Sequence, residues 1–211
     1  PPTLSAAALA LRSTPATGGL DLVAGQTQFG RHRDDWGNWF GNNNPTWLWH
    51  YHIPIHYLKR NPALAVRSTR TVLANYTPPN DVFTVGKPQP RFNWADRVNQ
   101  VTSANSATPY RDQLFGPEFA TSVFMSEPAN NVVHREILEP DGITCKSHRA
   151  ADEQNREFIA SADKWFRPTM LKTGPDGALY LADMYRLIIE HPEYFPEELR
   201  NRPDMRAGDD K

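Results

Sequence analysis

The sequence predicts an all-β protein built from repeated antiparallel units of the β-propeller kind, with long loops and short helices. Two observations carry this. Nineteen Pro and twelve Gly among 211 residues supply many turns and interrupt long helices. Three segments also repeat one pattern: "GNWFGNN" from 37, "TSVFMSE" from 121 and "GALYLAD" from 177. Each is a turn residue, a short strand with an aromatic fourth, and an oxygen-bearing seventh: Asn43, Glu127 and Asp183. Two copies continue alike, "WLWHYHI" over "NVVHREI", which sets His50 over His134. A turn, strand, polar end and second strand, recurring with variable connections, is the pattern of a propeller blade. Blades run to about 40–50 residues, so the wider spacing here implies insertions.

Along the chain, residues 1–19 are small and loop-like, and residues 20–211 form the propeller domain. "LSAAALALRS" lacks a basic leader and is not read as a signal peptide. Leu20 to Gly30 alternates as a strand entering a turn. His56 to Leu64 reads as a short helix stopped by Pro62. Short strands are expected at Val82–Val85 and Val98–Thr102, within long connections. Thr121 to Leu138 is expected as two strands about a Pro-containing turn, and Arg149 to Ser161 as a short charged helix. Pro168 to Ile189 is strand, "GPDG" turn, strand, and the tail holds no strong element.

The net charge of −1 gives no footprint for nucleic acid, and no apolar run is long enough for a membrane span. Cys145 is the only cysteine, so neither an internal disulfide nor a two-thiolate zinc site can form. No nucleophile elbow, phosphate loop or dinucleotide fingerprint occurs.

In a propeller, equivalent positions converge on an axial channel. Asn43, Glu127 and Asp183 would then bring together hard oxygen ligands suited to Ca²⁺. Alternatively they cap strand ends or touch substrate. His50 and His134 are candidate general bases, or satisfied histidines on half-buried strands. His50, His52 and His56 are close enough in sequence to raise zinc, although Pro54 interrupts their period. Arg135, Arg167 and Arg186 lie beside repeat landmarks, where a planar guanidinium could grip acid groups or form a salt bridge. Trp36, Trp39, Phe40, Trp47 and Trp49 read first as packing and second as a sugar platform. Tyr185, close to Asp183, is the aromatic expected nearest the channel mouth.

Four stretches carry a further resemblance: "GQTQFGRHRDDWGNWFGNNNPTWLWHYHIP", "FATSVFMSEPANNVVHREIL", the run from "SHRAADEQNREF" to "HPEYFP", and "RAGDDK". Together they resemble the propeller of the large membrane-bound dehydrogenase or haem-binding proteins of planctomycetes and verrucomicrobia. That domain is similar to quinoprotein glucose and sorbosone dehydrogenases. The resemblance implies three to four blades' worth, the C-terminal half, of a six-bladed type. It implies a periplasmic or extracellular protein that oxidises a sugar or related alcohol with pyrroloquinoline quinone (PQQ) and passes electrons to a cytochrome c. In that role His134, His50 and Arg186 are the catalytic candidates, and Arg167, Arg186 and Tyr185 the cofactor-binding ones. Cys145 is followed by Lys146, Ser147 and His148, so no covalent haem is expected in this chain. A homodimer, or a missing half, would cover the open blade edges. The alternatives are a Ca²⁺-dependent propeller hydrolase of the lactonase type and a non-enzymatic module binding carbohydrate or a partner.

Overall fold

In the computed structural model, residues 9–24, 27, 29–58, 60–61, 63–76, 81–87, 98–201 and 203 are described. The chain is all-β, with antiparallel sheets arranged in sequence order. β1 (Leu9–Thr14) and β2 (Gly19–Ala24) form a hairpin. β3 (Arg31–Arg33), β4 (Trp39–Asn43), β5 (Thr46–Tyr51) and β6 (Thr71–Ala74) form a four-stranded meander. β7 (Asn105–Pro109), β8 (Ser122–Glu127), β9 (Val132–Asp141) and β10 (Thr144–His148) form a second. The two-residue β11 (Ile159–Ala160) pairs with the start of β9. β12 (Pro168–Thr173) and β13 (Leu179–Asp183) close the order as another hairpin. Two single-turn helices, α1 (Ile55–Leu58) and α2 (Glu197–Arg200), complete it. No described helix is long and apolar enough to cross a membrane.

Turn chemistry fixes two of these connections. Gly142, at φ 62, opens the two-residue β9–β10 turn, a conformation that a side chain disfavours. Gly177, at φ 81, ends the "GPDG" turn, and a Cβ there would lie 2.9 Å from that of Leu114. The β7–β8–β9 meander is the middle layer, and period two splits its side chains between two cores. Val123, Met125 and Val132 join Phe40, Trp47 and Leu48 in one cluster. Phe124 and Val133 join Tyr110 and Leu171 in the other.

Because both faces of β9 are covered, its polar residues are buried too. His134 is fully buried, with Nδ1 2.6 Å from Glu157 Oε2 and Nε2 2.7 Å from Glu136 Oε1. Trp47 stacks on the imidazole at 4.4 Å, and Tyr76 meets it edge-on. Tyr76 Oη and Ser147 Oγ donate to Glu136. Arg149 donates to both Glu157 oxygens at 3.1 Å, and Phe83 N adds a further donor. Burial alone would lower the His134 pKa, but Glu157 and Glu136 overcome it and raise it to about 9. Burial opposes ionisation of Glu136 and Glu157, yet His134 and their other donors hold both below the usual carboxylate value. The cluster is therefore one imidazolium and one guanidinium against two carboxylates. It ties β9 to β5, to the segments around residues 76 and 81–83, and to the 149–157 loop.

Several expected elements differ. The segment expected as loop contributes β1, and its residues 1–8 lie outside the described residues. Val82–Val85 and Val98–Thr102 form no strand, because their backbones serve buried side chains instead. Phe83 N donates to Glu157, and Val101 N donates to Asp81. The helix expected over Arg149–Ser161 is a 3₁₀ turn at Ala151–Glu153 followed by β11. Arg149, Glu153 and Glu157 are buried, while Asp152 and Arg156 pair at the surface. The expected helix from His56 shrinks to α1, and the tail forms a 3₁₀ turn and α2. "RAGDDK" lies outside the described residues.

Replacing His134 with Gln leaves two buried carboxylates facing one guanidinium, and should cost about 3–5 kcal/mol in urea unfolding. The His134 contribution is fully present below its ordinary pKa of 6.5 and is lost as pH rises through about 9. The Glu136 and Glu157 contributions are present above 4.5 and fade as pH falls through their lowered values. The stabilisation from this cluster should therefore be greatest between about pH 4.5 and 6.5, and wild-type stability should decline from pH 6.5 towards pH 9. H134Q should lack that alkaline decline, and a wild-type protein of constant stability from pH 6.5 to 9 would contradict the assignment.

Candidate functional site

The first strand of each successive sheet, β3, β7 and β12, lies beside the next. Side chains rather than a ladder join them. Thr108 Oγ1 on β7 meets His32 Nδ1 on β3 at 2.5 Å and donates to Leu171 O on β12 at 3.0 Å. Ser106 Oγ accepts from Leu171 N at 2.7 Å. Ser106 sits at φ 56, where the β7–β8 register shifts. That bulge re-aims its hydroxyl, and the bonds to Leu171 hold the strained conformation.

Beside this junction opens a cavity of about 330 Å³, whose walls carry Arg31, Arg33, Arg111 and Lys172 around His32 and Trp39. Arg31 lies 4.1 Å over Tyr51 and 4.7 Å over Trp39, which fixes its plane. Arg111 donates through Nε and Nη2 to Asp35 at the rim. His32 is buried, and its pKa falls to about 4. Burial is the main cause, Lys172 adds to it, and a backbone contact at Ala107 opposes it. At neutral pH His32 is therefore an uncharged imidazole with one nitrogen lone pair, set among cations. Such a pocket can bind an anion, stabilise a developing alkoxide and accept a proton.

A family model described as a domain of unknown function (DUF7133) matches residues 3–211. The chain belongs to the DUF7133 family. No curated protein and no solved structure matches it.

In this DUF7133 chain Trp39 is the one residue singled out by sequence that lines the cationic pocket, and the others stand elsewhere. Asn43, Glu127 and Asp183 do occupy equivalent places, as the last residues of β4, β8 and β13. Yet Glu127 is fully buried and accepts from Thr102, Ser103 and Asn130, backbone and side chain together. Asp183 Oδ1 accepts from the backbone of Arg167 and Tyr185. Both act as strand-end caps. Among the described residues no group of three His, Cys, Asp or Glu is placed to share a metal ion.

The proposed bases are corrected. His134 is a fully buried imidazolium, already protonated and out of reach of substrate. His50 is buried against Phe40 and bonded to Thr144 Oγ1, with its pKa lowered mainly by burial. His52 meets Thr71 and lies edge-on to His50, and His56 is tilted against Tyr57, so the three His do not converge on one ion. Arg167 is also corrected: its guanidinium donates to the carbonyls of Pro128, Arg186 and Leu187, tying the tail to the β8–β9 turn. Arg186 takes part through its carbonyl. Tyr185 packs on Trp165 and donates to Asp163. Arg135 is spent on Ser122, Glu153 and the Glu118 carbonyl. Phe40, Trp47 and Trp49 are core, while Trp36 and Trp39 reach the surface.

The pocket residues carried one legible signal, the alternating cations of "GRHRDD". Arg111, Lys172 and Thr108 come from strands far apart in sequence, and no local pattern joins them to it. By NMR, His32 should titrate near pH 4 and stay neutral at pH 7. Lys172→Gln should move its midpoint upward, since that charge depresses it. A midpoint near 6.5 in the wild type would contradict the buried, cation-flanked placement.

Proposed function

We propose that the three sheets are successive blades of a β-propeller and that the cationic pocket is its ligand site. The protein would then be an oxidoreductase acting on a sugar-like alcohol with a quinone. The observation that carries this reading is a neutral His32 surrounded by Arg31, Arg33, Arg111 and Lys172. The blade reading draws support from the adjacent first strands of consecutive sheets, the arrangement expected of strands around an axis.

The donor set fits a flat quinone bearing several carboxylates, such as PQQ. Arg33, Arg111 and Lys172 would hold its acid groups, and Arg31 and Trp39 would frame it. When bound, such a quinone supplies the acceptor for the two electrons leaving the alcohol. His32 would take the hydroxyl proton, with Thr108 fixing the ring and the surrounding cations favouring the alkoxide. A cytochrome c as electron acceptor, and a periplasmic or extracellular setting, follow from the resemblance.

Titration with PQQ should show saturable binding, weakened by about tenfold or more in Arg111→Gln with Lys172→Gln, since each tenfold is about 1.4 kcal/mol. His32→Gln should keep binding but lose dye-linked sugar oxidation by about a hundredfold or more. Equal binding in wild type and double variant, or no sugar oxidation with bound quinone, would overturn the reading.

A further inference from the structure

A second cavity of about 290 Å³ opens beyond Pro109, which lines both. The two cavities take alternate residues from the same strand ends: Arg33 and Arg111 line the cationic one, Asp34 and Tyr110 the other. The second is chemically opposite. Its polar groups are already engaged: the Asp34 carboxylate accepts from the backbones of Trp36 and Asn38 and the Asn38 side chain. Tyr110 Oη donates to Gly177 O and accepts from Phe115 N. Ser122 Oγ accepts from Arg135. Apart from Thr121 and Cys145, the remaining wall is apolar: Pro109, Ala120, Leu138, Pro140 and the indole of Trp36, which is 79% exposed beside it.

An exposed indole next to a concave apolar wall leaves unburied area that a flat ring can cover. Two prolines add flat, rigid surfaces, and the volume is at the lower end for small-molecule sites. Asp34 disfavours anions here, whereas the neighbouring cavity favours them. We propose that this cavity is a binding site for a neutral aromatic ring, seated between Trp36 and the Leu138–Pro140 wall. It goes beyond the oxidoreductase reading and does not depend on it.

Cys145 lines the cavity and is the only cysteine, so it reports occupancy. The full chain would be treated with N-phenylmaleimide or N-ethylmaleimide at about pH 8, near the ordinary thiol pKa. Labelling is followed by intact mass, with each rate normalised to that with glutathione. The phenyl reagent should label faster by about tenfold or more, a difference of about 1.4 kcal/mol, and its rate should saturate with concentration, as binding before reaction requires. Indole should slow it, W36A should bring the normalised ratio towards unity, and W36F should retain the preference. A wild-type ratio near unity, or a preference that indole and W36A leave unchanged, overturns the proposal. Arg111→Gln with Lys172→Gln should leave labelling unaltered, which separates failure here from failure of the cationic pocket.

Discussion

The structure depends on one buried imidazolium. His134 sits between two carboxylates on the covered face of β9, and each carboxylate oxygen has at least one further contact or donor of its own. A charge so far from water is tolerated only when paired and fully hydrogen-bonded. The two carboxylates come from the 149–157 loop and from β9 itself, and Tyr76 reaches Glu136 from just beyond β6. Satisfying His134 therefore fixes where the 149–157 segment crosses, where Tyr76 stands and how Trp47 packs. Irregular backbone at 81–83 and 149–157 is held by the same groups, which explains order without strand or helix.

The site follows from that placement. Once β9 is locked against the first meander, β7 lies between β3 and β12, and Thr108 can bridge His32 to Leu171. The chain thus uses two buried histidines in opposite ways. His134, flanked by carboxylates, is charged and structural. His32, flanked by Lys172 and arginines, is neutral and lines a cavity. The same side chain is charged or neutral according to its neighbours.

Much of the fold was legible. The segments "GNWFGNN", "TSVFMSE" and "GALYLAD" align as β4, β8 and β13, with their seventh residues at strand ends. What the alignment could not supply was which strand of each unit faces the cavity: the site lies on the strand before each aligned one. "AADEQNRE" misled for a related reason. Its charged pattern suits a short helix, whereas Glu153 and Glu157 are drawn inward by Arg135 and His134 of β9, and Arg149 pairs with Glu157. Arg111 and Lys172 were hidden likewise, since their convergence with His32 is tertiary.

All of this packing requires His134 to carry its charge inside the core at neutral pH. Nitrogen-15 NMR of the His134 ring at pH 7.5 reads that charge. A charged ring shows protons on both Nδ1 and Nε2, with two imidazolium-type shifts and slow exchange with water. One protonated and one bare nitrogen would contradict it, because a neutral ring cannot donate to both Glu157 and Glu136.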